Sequence, residues 1–117
     1  MNYAVFVPSY VNRIEHVRTL LKPAERIVNL GCGRGEVNFY LKERGREMVG
    51  IDINKSDIET AKRLAKQHRH LKYYVMDATK TEFKDFSFDA VVCMETIEHV
   101  KAPEALILEI HRILRKG

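Results

Sequence analysis

Residues Val28 to Glu36 read VNLGCGRGE, an apolar run that stops in three glycines at alternate positions, Gly31, Gly33 and Gly35. Glycine loses more backbone entropy on folding than any other residue, so such a cluster marks a backbone that must turn tightly or lie against something. The residues before it, RIVNL (26–30), read as a short buried strand, and those after it, VNFYLKER (37–44), as a helix closed by Gly45 in a C-cap role. Strand, glycine turn and helix in that order begin a parallel βα unit. No other feature restricts the fold as much.

The pattern then repeats. EMVGID (47–52) predicts a second strand, and SDIE (56–59) a Ser-x-x-Glu capping box opening a helix through about residue 69. KYYVMD (72–77) and FDAVVCM (88–94) predict a third and a fourth strand. Pro103 suits the first turn of a last helix, PEALILEIHRIL, with Leu106, Ile107, Ile110, Ile113 and Leu114 on one face. Upstream, after a short apolar start, SYVNRIEHVRTLL places Val11, Ile14, Val17 and Leu21 on one helical stripe that Pro23 ends. The chain thus divides into an N-terminal helical segment, 1–23, and an α/β core, 24–117, within one domain. Short loops and right-handed crossovers predict a doubly wound, Rossmann-like parallel sheet, its four core strands in the order 3-2-1-4 with helices on both faces. Ligands of such sheets bind outside the carboxyl ends of the strands, where the order reverses. The three glycines, Asp52, Asp77 and the CMETIEH segment fall there.

Composition narrows the partners. A length of 117 residues with 45% apolar content suits a single globular core. The formal charge of +4 is a mild excess, and AKRLAKQHRHLK (61–72) reads as a solvated helix face, so no nucleic-acid role is expected. No run of about 18 apolar residues could span a bilayer, and the first residues lack the pattern of a signal peptide, which makes the cytoplasm the expected compartment. Cys32 and Cys93 lack the spacing of a zinc or redox motif, and Cys32 is expected to be a small buried side chain without a catalytic role.

Glycines at a first βα turn let backbone N–H groups approach a ligand, and a carboxylate about 20 residues on can accept both hydroxyls of a ribose. Asp52 lies 21 positions after Gly31. The dinucleotide fingerprint needs a further spaced glycine, and here Glu36 stands in its place, where it would repel a pyrophosphate. The ligand that fits has a ribose, lacks a pyrophosphate and tolerates nearby acid.

On VNLGCGRGE, GIDINKSDIETAK, VMDAT and FDAVVCMETIEHV followed by PEALILEIHRILRKG, in order from about residue 24 to 117, the chain resembles the class I S-adenosylmethionine-dependent methyltransferases, in particular the type 11 and ubiquinone-biosynthesis-like group. The resemblance implies a cofactor-binding set of Asn29, Gly31, Cys32, Gly33, Asp52, Ile53, Asp77, Ala78, Cys93 and Met94. In it Gly31 and Gly33 line the methionine part, Asp52 holds the ribose with Ile53 against the adenine, and Asp77 bonds the adenine amino group. Asn29 departs from the acidic residue usual in the family and predicts a weaker hold on the cofactor. Glu95 and His99 are the candidate catalytic residues, His99 as general base. Glu95, Glu98 and His99 could also form half of a metal site, but the favoured reading is polar crevice lining without a metal. The function implied is methyl transfer to a small-molecule acceptor; the alternative is a non-catalytic cofactor-binding module or subunit. Complete members continue into three more strands, so the fold is expected to be truncated after RILRKG. Strand 4 is then expected at the sheet edge, open to a partner chain or a second copy.

Overall fold

The computed structural model describes residues 3–7, 14–94 and 100–115. Its elements are β1 (Tyr3–Val7), α1 (Ile14–Leu20), β2 (Arg26–Leu30), α2 (Glu36–Leu41), β3 (Glu47–Asp52), α3 (Lys55–Leu64), β4 (Leu71–Val75), β5 (Ala90–Met94) and α4 (Pro103–Ile113). The sheet runs β1-β5-β2-β3-β4, and every neighbouring pair is parallel. The four core strands therefore stand in the order the sequence predicts. The departure is at the other side of β5: Tyr3–Val7 pairs with Ala90–Met94 over its whole length. β5 is not an edge strand, and the place expected for a partner chain or second copy is taken by the N-terminal segment, which holds a strand as well as a helix.

Consecutive residues of β2 serve opposite faces. Ile27 packs with Val17, Leu41, Met48, Ile58 and Ala61, from α1, α2, β3 and α3. Val28 and Leu30 pack with Val49, Ile51, Phe88, Leu106, Ile110 and Ile113, on the α4 side. A sheet covered on both faces needs near-continuous apolar strands, which is why RIVNL and AVVCM carry so little alternation. Fully burying one such side chain contributes about 1.5–3 kcal/mol.

Helix limits differ from expectation for local reasons. α3 is capped by Asn54, whose Oδ1 accepts from the Asp57 amide at 3.0 Å, and not by the Ser56 box. It stops at Leu64, and turns closed by His68 N–Ala65 O (2.8 Å) and Leu71 N–His68 O (2.9 Å) carry the chain into β4. α2 ends at Leu41 beside Arg46, which is buried and donates to the carbonyls of Leu21 (2.6 Å), Leu41 (2.8 Å) and Ala24 (3.1 Å). One guanidinium thus satisfies carbonyls left over at the ends of both α1 and α2. α4 begins with Pro103 at its first turn as predicted, but Ile107 is exposed while Leu106, Ile110 and Ile113 are buried. Among the described residues no helix is long and apolar enough to cross a membrane.

Candidate functional site

Because all strands are parallel, the ends of β2, β3, β4 and β5 open on one side. Backbone bonds tie these ends together: the amides of Gly31 and Cys32 both donate to Ile51 O at 2.9 Å, and that of Met76 donates to Asp52 O at 3.1 Å. The turn after β2 holds Gly31, Gly33 and Gly35 at φ of 78°, 56° and 85°. At Gly33 an added Cβ would meet nothing within 4 Å, so this side of the turn is open to an incoming group. At Gly35 the same atom would lie 2.6 Å from Tyr73 Oη, so the turn is pressed against β4 on its other side.

Asp52 joins the two halves of the site. Its Oδ2 accepts from Gly33 N at 2.9 Å and its Oδ1 from Asn54 N at 2.9 Å, so one carboxylate orients the glycine turn and the start of α3. Each oxygen keeps a second lone pair for a ligand hydroxyl. Ile53 beside it is 75% exposed, an apolar surface at the rim of the crevice. Asp77 is exposed past the end of β4, where its Oδ1 accepts from the Thr79 amide (2.8 Å) and hydroxyl (2.7 Å). These bonds, the hydroxyl first, hold its carboxyl below the usual range. Ala78 is half-buried and packs toward the α4 side.

Two of the residues expected at the site are buried. Asn29 is 2% exposed, in the middle of β2, and its Nδ2 donates to Asn38 Oδ1 at 2.7 Å. The remaining atoms of the pair, Asn29 Oδ1 and Asn38 Nδ2, are buried without a partner among the described residues. Cys32 is buried too, its thiol donating to Gly33 O at 3.5 Å, and burial, reinforced by the charge of Asp52, pushes it up to about 12. A thiol so protonated is a poor nucleophile at neutral pH. Cys93 lies in the core on the α4 side, paired through the ladder with Leu30, and Met94 ends β5 opposite Val7. Glu95, Glu98 and His99 lie outside the described residues, and with them the catalytic and metal readings of that segment.

The residues that sequence reasoning passed over are Asn38 and Tyr73. Tyr73 lies under both Gly35 and Gly50: a Cβ on Gly50 would stand 2.7 Å from Cys32 Sγ and from the Tyr73 ring. A glycine in the middle of the EMVGID strand was the available signal, since it marks a close approach. A cavity of about 320 Å³ adjoins the glycine turn, lined by Arg34, Gly35, Phe39, Leu64 and Tyr73 among others.

Residues 28–117 match the family described as a methyltransferase domain. Among curated proteins, the chain is 32% identical over 99 residues to phosphoethanolamine N-methyltransferase 3 of Arabidopsis thaliana, covering 83% of this chain and 20% of that protein. It is 32% identical over 110 residues to a ubiquinone biosynthesis O-methyltransferase of Alkalilimnicola ehrlichii, covering 90% and 44%. Among solved structures, the PH0226 protein of Pyrococcus horikoshii superposes with a TM-score of 0.76 at 33% identity, over 89% of this chain and 52% of that one. A geranyl diphosphate methyltransferase in complex with SAM shares the fold, with a TM-score of 0.81 at 24% identity over 91% and 45%. The chain spans about half or less of the length of these proteins.

Proposed function

Since the chain belongs to the methyltransferase-domain family, we propose that its crevice binds S-adenosylmethionine for methyl transfer to a small-molecule acceptor. The observation that carries this reading is the junction of Gly33 and Asp52: an amide and a carboxylate 2.9 Å apart, with open space over the glycine and Ile53 exposed alongside. The residues fit the group. Asp52 has lone pairs for vicinal ribose hydroxyls, Ile53 offers an apolar face to the adenine, and the open side of Gly33 admits the methionine end. When bound, the cofactor would supply an electrophilic methyl on a cationic sulfur, to which a crevice carrying the carboxylate of Asp52 is electrostatically suited. Transfer of that methyl depends first on orientation. The chain's part is to fix the glycine turn through Asp52, whose bond to Gly33 ties ribose recognition to the placement of the loop. A small acceptor is supported by the relatives named for phosphoethanolamine and for ubiquinone biosynthesis.

Calorimetric titration with S-adenosylmethionine and S-adenosylhomocysteine tests the reading. Wild type should bind both. Asp52→Ala, checked by circular dichroism for its fold, should bind at least about tenfold more weakly, since hydrogen bonds to a charged acceptor are worth about 1.5–3 kcal/mol each. A folded wild type that binds neither ligand would refute it.

A further inference from the structure

The end of the sheet opposite the crevice has its own groove. Residues 42–46, which lead into β3, and residues 66–71, which lead into β4, line a cavity of about 530 Å³. It holds Lys42, Arg44, Arg46, Lys66 and Arg69 against a single carboxylate, Glu43. Five cations and one acid leave an excess of four, equal to the formal net charge of the whole chain, so the remaining residues balance. Arg46 is engaged with backbone carbonyls. The other four cations are exposed, and among the described residues none has a carboxylate within 4 Å, whereas Arg26, Arg112 and Arg115 are all ion-paired. His68 and His70 add further donors to the same wall.

Read as one helix, residues 61–72 would spread their cations around a cylinder. α3 instead stops at Leu64, and the turns that follow bring Lys66 and Arg69 onto the groove that Lys42 and Arg44 also line. The groove's one apolar residue, Leu71, is buried. Protein interfaces favour an apolar centre, and a membrane surface needs apolar side chains to insert; here one exposed ring, Phe39, stands at the rim, under Lys42 Nζ at 4.3 Å and edge-on to His68. A chain of phosphates needs only cations and donors along its path, and a concave channel of this size takes one flexible strand more readily than a stiff duplex.

We propose that this groove docks the phosphate backbone of a single-stranded nucleic acid. The site lies about a strand length, ~17 Å, from the crevice, and its assignment does not rest on what the crevice binds. Recognition is through charge, so it is independent of base sequence and strongly dependent on salt.

The test is fluorescence anisotropy with a labelled ten-nucleotide oligouridine. Four neutralised phosphates predict a slope of log K against log salt of about −2.8, and so a loss of about 50-fold in affinity between 50 and 200 mM salt. Arg44→Glu with Lys66→Glu and Arg69→Glu should abolish binding. Lys55→Glu with Lys80→Glu and Lys84→Glu, which removes the same charge elsewhere, should retain most of it. Thermal melts of both triple variants verify that these exposed changes leave the fold intact. Absence of binding by wild type, equal losses in the two variants, or equally tight binding of a polyglutamate peptide would each overturn the proposal.

Discussion

Gly33 and Gly35 stand two positions apart with the same sign of φ, yet they answer to different constraints. Gly33→Ala places a methyl in open space at a left-handed backbone, which costs about 1–2 kcal/mol. That methyl, however, projects where the cofactor is proposed to lie, so calorimetry should show binding lost while urea denaturation shows a modest change. Gly35→Ala adds a clash with the Tyr73 ring to the same backbone strain; a stability loss of about 2–4 kcal/mol is expected. The reverse ranking would place the ligand on the other side of the turn. Asn29 invites a second experiment. Asn29→Ala strands the Asn38 amide and should cost about 1–3 kcal/mol, whereas Asn29→Leu with Asn38→Leu removes both unpartnered atoms with the pair and should be close to neutral in the same urea titration. This commitment to Asn38 also alters the meaning of the neutral residue at position 29: its carboxamide fastens α2 to the sheet.

At the scale of elements, α4 is fastened to the connection before β5 by one buried carboxylate. Glu109, 8% exposed, accepts from Arg112 Nη2 (2.7 Å) and Nε (2.9 Å) and from the hydroxyl (2.5 Å) and amide (2.8 Å) of Thr81. The Arg112 bonds, with those from Thr81, hold its carboxyl below the ordinary value of 4.5 despite burial. A carboxyl depressed on folding stabilises above its unfolded pKa, and that contribution is lost as pH falls through the lower folded value. Urea titrations between pH 7 and 3 should therefore show wild type losing stability below about pH 4.5, and Glu109→Gln, already weaker at pH 7, a shallower loss. The core strands and α4 were legible because buried parallel strands next to glycine turns, and a proline at a first turn, are local signals. The place of Asp52 was legible as its spacing from Gly31, but its bond to the Gly33 amide was not. Arg46, Asn38 and Glu109 were not, since their partners lie on other elements and no period in the sequence marks them. α3 was misjudged at both ends because Asn54 competes with Ser56 for the cap and the chain must turn early to enter β4.

Across the whole molecule, β1 carries the sheet one strand beyond β5. Its YAVFV segment is too short and too far from its partner for sequence periodicity to reveal the pairing. Removing residues 1–7 would bare the β5 edge, and an apolar, unpaired edge invites association. Light scattering of that variant should show concentration-dependent oligomers, and its urea midpoint should fall by the equivalent of about 2–5 kcal/mol, as expected for losing a row of ladder hydrogen bonds. A monomer of unchanged stability would mean that β1 contributes nothing to the sheet. The same strand sets a timetable for synthesis. Tyr3 pairs with Ala90, 87 positions later, so at roughly 5–20 residues per second β1, once made, waits about 4–17 s for its neighbour to exist. β2, β3 and β4 can assemble in that interval, leaving the apolar β1 segment with nowhere to dock. The nascent chain is thus exposed to premature contacts at residues 3–7 until β5 has been made.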